Sequence, residues 1–127
     1  WASASQAPAT VAGSRPVPTT DSGLLADLVD LGGTDASLLD DEDFLELLLP
    51  AVRSDYQAFN RYTCGREVRV AADIHAVGGR GDHRVESDLL RAWECPPDGV
   101  FTLTMFDGGH FYVDDHLDEV AELVSCT

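Results

Sequence analysis

The chain has 127 residues, enough for one domain with a core of moderate size, and its 44% hydrophobic and 24% charged residues describe a globular protein. A net charge of −15 excludes nucleic acid, whose phosphates demand a positive face, and anionic membrane surfaces. All eight basic residues are arginine, which also excludes a Schiff-base lysine mechanism.

No stretch approaches the roughly 20 apolar residues that span a bilayer. The longest apolar run, around Leu47 to Val52, contains Pro50 and is far shorter. Trp1 to Ala12 lacks the basic n-region of a signal peptide, and the first residue is not Met, so the genetic start is expected upstream. Cys64, Cys95 and Cys126 lie far apart with no CxxC spacing, which predicts free thiols in a reducing cytoplasm. Charge is uneven: nine acids and no base lie between Asp21 and Pro50, whereas seven of the eight arginines lie between Arg53 and Arg91. The ordinary reading is a solvated acidic face beside a mixed one. The sharper reading is an arginine-bearing segment that meets an anionic partner such as a phosphorylated carrier arm.

In chain order, Trp1 to Ser5 reads as a short strand, and Gln6 to Thr20, with Pro8, Gly13, Pro16 and Pro18, as a loop. Ser22 or Asp21 caps a helix over Leu24 to Leu31, its leucines at 24, 25, 28 and 31 on one face, and Gly32 and Gly33 stop it. Asp40 precedes a second helix with Asp41, Glu42 and Asp43 in the first turn, where the dipole favours negative charge. Leu45, Leu48 and Leu49 supply its buried side. Pro50 breaks or kinks it, or opens a third helix with Val52, Tyr56, Phe59 and Tyr62 at helical spacing.

The period then changes. Val68, Val70, Ala72, Ile74 and Ala76 alternate as in a strand, which Gly78, Gly79 and Gly81 end in a tight loop holding Asp82. Asp88 to Glu94 reads as a short helix with Leu89, Leu90 and Trp93 inward. Phe101 to Phe106 is a second alternating strand, Gly108-Gly109-His110 the next loop, and Leu117, Val120, Ala121 and Val124 mark a final amphipathic helix. This alternation predicts an α/β fold with parallel strands.

In such sheets catalytic groups gather beyond the carboxyl ends of the strands. Asp82 follows one predicted strand and His110 the next, so both project at the same sheet edge. A carboxylate accepting from one imidazole nitrogen fixes the tautomer and leaves the other nitrogen free as a base. The order Asp then His matches the Ser…Asp…His chain order of α/β-hydrolases. An Asp in a Gly-rich loop or a His after Gly-Gly is by itself an ordinary turn or cap residue; together, after consecutive strands, they read as a catalytic pair. His75 reads as a packed strand residue and His83 as a rim contact. His116, after Asp114 and Asp115, forms a cluster that could bind metal, but helix capping explains those acids better.

The runs AVGGRGDHRVESDLLRAW and FTLTMFDGGHFYVDDHLDEVAELV resemble the C-terminal part of type II thioesterases, discrete α/β-hydrolases of polyketide and nonribosomal peptide synthesis. LLADLVDLGGTDASLLDDEDFLELLLPAVRSDYQAFNRY resembles the family's helical lid, and WASASQAPA the strand and loop before it. The resemblance implies the C-terminal portion of an α/β-hydrolase fold with a helical lid insertion: 1–20 as a core strand and connecting loop, 21–63 as lid, and 64–127 as the core carrying the triad Asp and His. It implies hydrolysis of acyl groups from the phosphopantetheine arm of an acyl or peptidyl carrier protein, with Asp82 as acid, His110 as base and no cofactor. Leu24, Leu28, Phe44, Leu48, Tyr56 and Phe59 would line the acyl chamber, and Phe111 its rim.

Two departures stand out. His83 occupies the place where proline often follows the family's triad Asp. No G-x-S-x-G occurs, so the nucleophile elbow and oxyanion loop of the N-terminal hydrolase half are expected elsewhere: in a longer or cleaved polypeptide, on another chain, or lost in a noncatalytic module that binds carrier or acyl chains.

Overall fold

The computed structural model describes residues 1–65, 68–94 and 98–126. Contacts divide the chain into two compact units, one of Trp1–Gln6 with Arg69–Thr127 and one of Ala7–Val68.

The first unit is a parallel sheet with flanking helices. Strand β1 is Ala2–Ser3, β2 is Ile74–Gly79 and β3 is Phe101–Phe106, in the order β1-β2-β3. Both pairings are parallel, with Ser3 opposite Val77 and the whole of β2 in register with β3 from Ile74–Phe101 to Gly79–Phe106. The α/β alternation expected from the sequence is present. β2 lies centrally, and five of its six residues are buried. A parallel strand covered on both faces reads as a continuous apolar run and does not alternate. This is why the alternation at Val68, Val70 and Ala72 misplaces its start: those residues are exposed, and pairing with β3 begins at Ile74. Gly78 and Gly79, expected to end the strand, are its last two residues.

A short helix over Ser87–Arg91 lies in the connection between β2 and β3 and packs on β2. Ala76, Val85 and Leu90 form the buried core here, with Leu89, Trp93, Phe101, Leu103 and Met105 packed against it. Burying Leu90 completely contributes on the order of 1.5–3 kcal/mol. Gly78 is small of necessity, since a Cβ there would stand 2.4 Å from Leu90 Cδ1.

The second unit is helical. α1 is Pro8–Val11, α2 Asp21–Leu31, α3 Ala36–Leu39 and α4 Glu42–Arg61. α1 falls where the sequence predicts only loop. Pro8 takes the first-turn position, where its missing N–H is no loss, so it starts a turn of helix. Thr20, one residue before the expected caps, accepts from Gly23 N and opens α2. Gly32 closes it in the left-handed conformation at φ 72°, donating to Leu28 O. α4 runs unbroken through Pro50, against the expected break. Three polar ties hold its C-terminal part to the segment before and within α2. Arg53 donates to Thr19 O and pairs with Asp21, the Tyr56 hydroxyl donates to Asp27, and Asn60 bonds both N–H and C=O of Val17. They lie in the turns after Pro50, which removes one helical hydrogen bond. No residue of α4 is fully buried, so Leu45, Leu48 and Leu49 are only half covered.

In the first unit, α5 is Ser87–Arg91, continued by a 3₁₀ turn over Ala92–Glu94, and α6 is Leu117–Ser125. Among the described residues, no helix is long and apolar enough to cross a membrane. Cys64 and Cys126 are free thiols; Cys95, the third predicted one, lies outside the described residues.

Candidate active site

Asp82 and His110 follow β2 and β3, whose carboxyl ends are adjacent because the strands are parallel and in register. The two loops are also bonded directly. Arg80 N donates to Phe106 O and Gly81 N to Gly108 O, both at 2.8 Å, and Arg80 Nε donates to Asp107 Oδ1 at 3.1 Å. Gly79 permits this approach: a Cβ there would meet Gly109 O at 2.2 Å and Gly108 O at 2.5 Å. Gly108 adopts φ 119°, a conformation L side chains rarely enter.

These constraints bring the predicted pair together. His110 Nδ1 lies 2.9 Å from Asp82 Oδ2. An ionised carboxylate only accepts, so Nδ1 carries the proton. Oδ1 of Asp82 accepts from Arg84 N at 2.7 Å and Val85 N at 3.0 Å, a turn that fixes the carboxylate. The Asp82 side chain is 1% exposed and that of His110 24%. The buried charge is therefore held by three donors, which meets the requirement for burying it. Nε2 of His110 makes no hydrogen bond among the described residues. The arrangement leaves an oriented imidazole with one basic nitrogen available. Phe111, the predicted rim residue, is 44% exposed and stands edge-on to His110 with ring centroids 5.1 Å apart.

The sequence reading missed two residues that build the loop of the base. Tyr112 is 1% exposed, and His116 donates from Nε2 to Asp107 O at 2.8 Å, bridging the ends of the excursion that carries His110. A buried aromatic two residues after the base was the available signal for the first. The capping expected of Asp114 and Asp115 is absent: the N-cap of α6 is His116, with no side-chain cap bond, and among the described residues no three His, Cys, Asp or Glu side chains gather to hold an ion. Glu119 sits 3.4 Å from His116 Nδ1; its carboxyl is held below the ordinary range first by its own backbone N–H and then by His116. His75 is half-buried in β2, stacked on Trp1 at 4.7 Å and bonded to Thr102 Oγ1 at 2.7 Å, while His83 is exposed. A cavity of about 520 Å³ lies beside Asp82, lined also by Arg80, His83, Glu86, Ser87, Arg91 and Met105 among others, with His110 not in its lining. Arg80 pairs with Asp107 outside the cavity lining.

The predicted chamber residues all belong to the helical unit. Leu24 is wholly buried; Leu28 of α2 and Phe44, Leu48, Tyr56 and Phe59 of α4 are half-buried. That unit's own cavity, about 430 Å³, has a floor of Leu45, Leu49 and Pro50 and a polar rim of Asp21, Glu42, Glu46 and Arg53. None of the six predicted chamber residues lines it.

Comparison with known proteins agrees with this architecture. The phenyloxazoline synthase MbtB of Mycobacterium tuberculosis is 59% identical over 125 residues, a match that covers 98% of this chain and 9% of the synthase. A probable cadicidin biosynthesis thioesterase of Streptomyces griseus is 36% identical over 119 residues, covering 94% of this chain and 33% of that protein. Among solved structures, BorB, the type II thioesterase of the borrelidin biosynthetic cluster, superposes with a TM-score of 0.76 at 35% identity, covering 97% of this chain and 51% of BorB. The chain thus spans about half or less of the length of these relatives, and its parallel sheet and helices are a portion of the α/β-hydrolase fold. The thioesterase domain profile matches residues 1–126, and the chain belongs to the thioesterase domain family.

Proposed function

We propose that these residues supply the acid and base of an acyl-thioester hydrolase whose serine nucleophile lies outside them. The observation that carries the reading is the bond from His110 Nδ1–H to a buried, triply bonded Asp82, with Nε2 left without a hydrogen bond among the described residues. Nε2 would take the proton of the serine hydroxyl as it attacks the thioester carbonyl, and the thiol would leave. The acyl-serine would then be hydrolysed by water activated at the same nitrogen. Asp82 keeps the tautomer correct and stabilises the imidazolium formed in each half-reaction.

The substrate in this reading is an acyl or peptidyl group on the phosphopantetheine arm of a carrier protein, in polyketide or nonribosomal peptide synthesis in the cytoplasm. Family membership and the likeness to BorB, a thioesterase of a biosynthetic cluster, support it. The helical unit acts as the lid over the acyl group, and lids of this kind set access by moving. The exposed apolar positions of α6, Leu117 at 64% and Val124 at 46%, suit coverage by a further hydrolase half.

A second reading concerns context. The 59% match occupies 9% of a large synthase. It favours these residues as the thioesterase portion of a multidomain synthase that releases its own product, rather than as a discrete editing enzyme. The intact mass of the native polypeptide distinguishes the two.

The test is hydrolysis of an acyl-pantetheine thioester by the native polypeptide containing these residues. His110→Ala is expected to lower kcat by roughly 10³-fold or more while the protein remains folded. An unchanged rate overturns the assignment of the base. Carrier binding without hydrolysis in the parent protein establishes a noncatalytic module instead.

A further inference from the structure

Asp82 and His110 face each other across two loops, and the distance between them depends on both ends of the His110 loop. The incoming end is fixed to the Asp82 loop by Arg80 N to Phe106 O and Gly81 N to Gly108 O. The outgoing end has no such ladder. Two residues after His110 stands Tyr112, the first residue of a 3₁₀ turn over Tyr112–Asp114. Its ring stacks nearly parallel on Phe106, with centroids 5.5 Å apart and planes at 9°. Its backbone N–H donates to Gly109 O at 3.2 Å, and Gly108 lies so close that a Cβ there would stand 3.3 Å from Tyr112 Cβ. The ring is thus packed beneath the loop it follows. Its hydroxyl bonds Ser3 Oγ at 2.7 Å, a partner 109 residues away in sequence. Ser3 is itself fixed at the end of β1, in register with Val77 and followed by Ala4 N donating to Val77 O at 2.9 Å.

We propose that the Ser3–Tyr112 hydrogen bond positions the base, making Tyr112 and Ser3 positioning residues that anchor the outgoing end of the His110 loop to β1. The inference rests on the catalytic reading of His110. A buried phenol needs only some acceptor or donor. This one bridges to the strand at the opposite edge of the sheet from β3, so the loop after the base takes its position from β1 as well as from β3. Movement of the ring by a fraction of an ångström moves the imidazole relative to Asp82 and to the attacking hydroxyl. Reaction rates are steep in that displacement.

The experiment is a double-mutant cycle in the native polypeptide with Tyr112→Phe, Ser3→Ala and both together. Tyr112→Phe keeps the ring packing. Each single change is expected to lower kcat for acyl-pantetheine hydrolysis by roughly 5- to 10-fold, with KM within about 2-fold. The double variant is expected to be no worse than either single one, because both remove the same bond. The proton on His110 Nδ1, followed by ¹H NMR, is expected to exchange faster with solvent in all three. Unchanged kcat with a lowered melting temperature overturns the proposal, as do additive losses. If the parent protein does not hydrolyse thioesters but the Nδ1 proton still responds, the catalytic reading fails and the positioning link stands. If the parent hydrolyses and all variants match it, the positioning link fails alone.

Discussion

At the scale of single residues, the site depends on glycines as much as on the pair they serve. Gly79 ends β2 with no room for a side chain, because the carbonyls of Gly108 and Gly109 lie within 2.5 Å of where a Cβ would stand. Those carbonyls are backbone atoms and cannot rotate away. Gly79→Ala is therefore expected to push the two loops apart and destabilise the protein by about 1–3 kcal/mol. Activity should fall further than the melting temperature alone suggests, since Asp82 and His110 separate. Thermal unfolding and thioester hydrolysis of the native polypeptide check this. Asp82 and His110 themselves were legible because their residue types, their order and their places after two strands are local facts. Tyr112 was not, because its hydroxyl's partner comes from the other end of the chain.

At the scale of elements, the starts of α2 and α4 and the stop of α2 were legible to within a residue or so, whereas the short helices α1 and α3 and the strand limits were not. Gly32 ends α2 as expected. Asp35 caps α3, accepting from Ser37 N at 2.8 Å and from Ser37 Oγ at 2.6 Å. These bonds, the side-chain one foremost, hold its carboxyl below the usual value of 3.8. A depressed carboxylate contributes stability above its unfolded value and loses it as pH falls through the lower folded one. The α3 cap is therefore expected to persist at neutral pH and to weaken only below about pH 3.8. A carboxyl ¹³C titration should place Asp35 below that value, and Ser37→Ala should move it back up. An unshifted midpoint in the parent protein would contradict the cap. The start of β2 and the continuity of α4 through Pro50 depended on partners distant in sequence, β3 in one case and the Val17–Asp27 segment in the other.

At the scale of the whole molecule, two compact units arise from one continuous chain, and the helical one is inserted between β1 and β2. Leu117 on α6 and Val100 before β3 are 64% and 62% exposed, and among the described residues β1 pairs on one of its edges only. Unpaired edges and exposed apolar side chains favour association. Produced alone, the 127 residues are expected to bind a hydrophobic dye strongly and to self-associate. Production together with an N-terminal thioesterase half should reduce both effects, as read by dye fluorescence and sedimentation. A monodisperse, dye-silent chain would mean that no such half is needed.

The sequence by itself determined the α/β alternation, the place of the long lid-type helices to within a residue or so, the acid and base and the family, because each is written in local pattern, spacing or motif. The tertiary structure alone decided where β2 begins, that α4 continues past its proline, and that Ser3 meets Tyr112. Each of these is set by residues far apart in sequence, whose pairing becomes visible only when the sheet and the helices have closed around them. The acid and base themselves stand between the two cases. Their identities are local, but the 2.9 Å bond that makes them a pair exists because two parallel strands share one register.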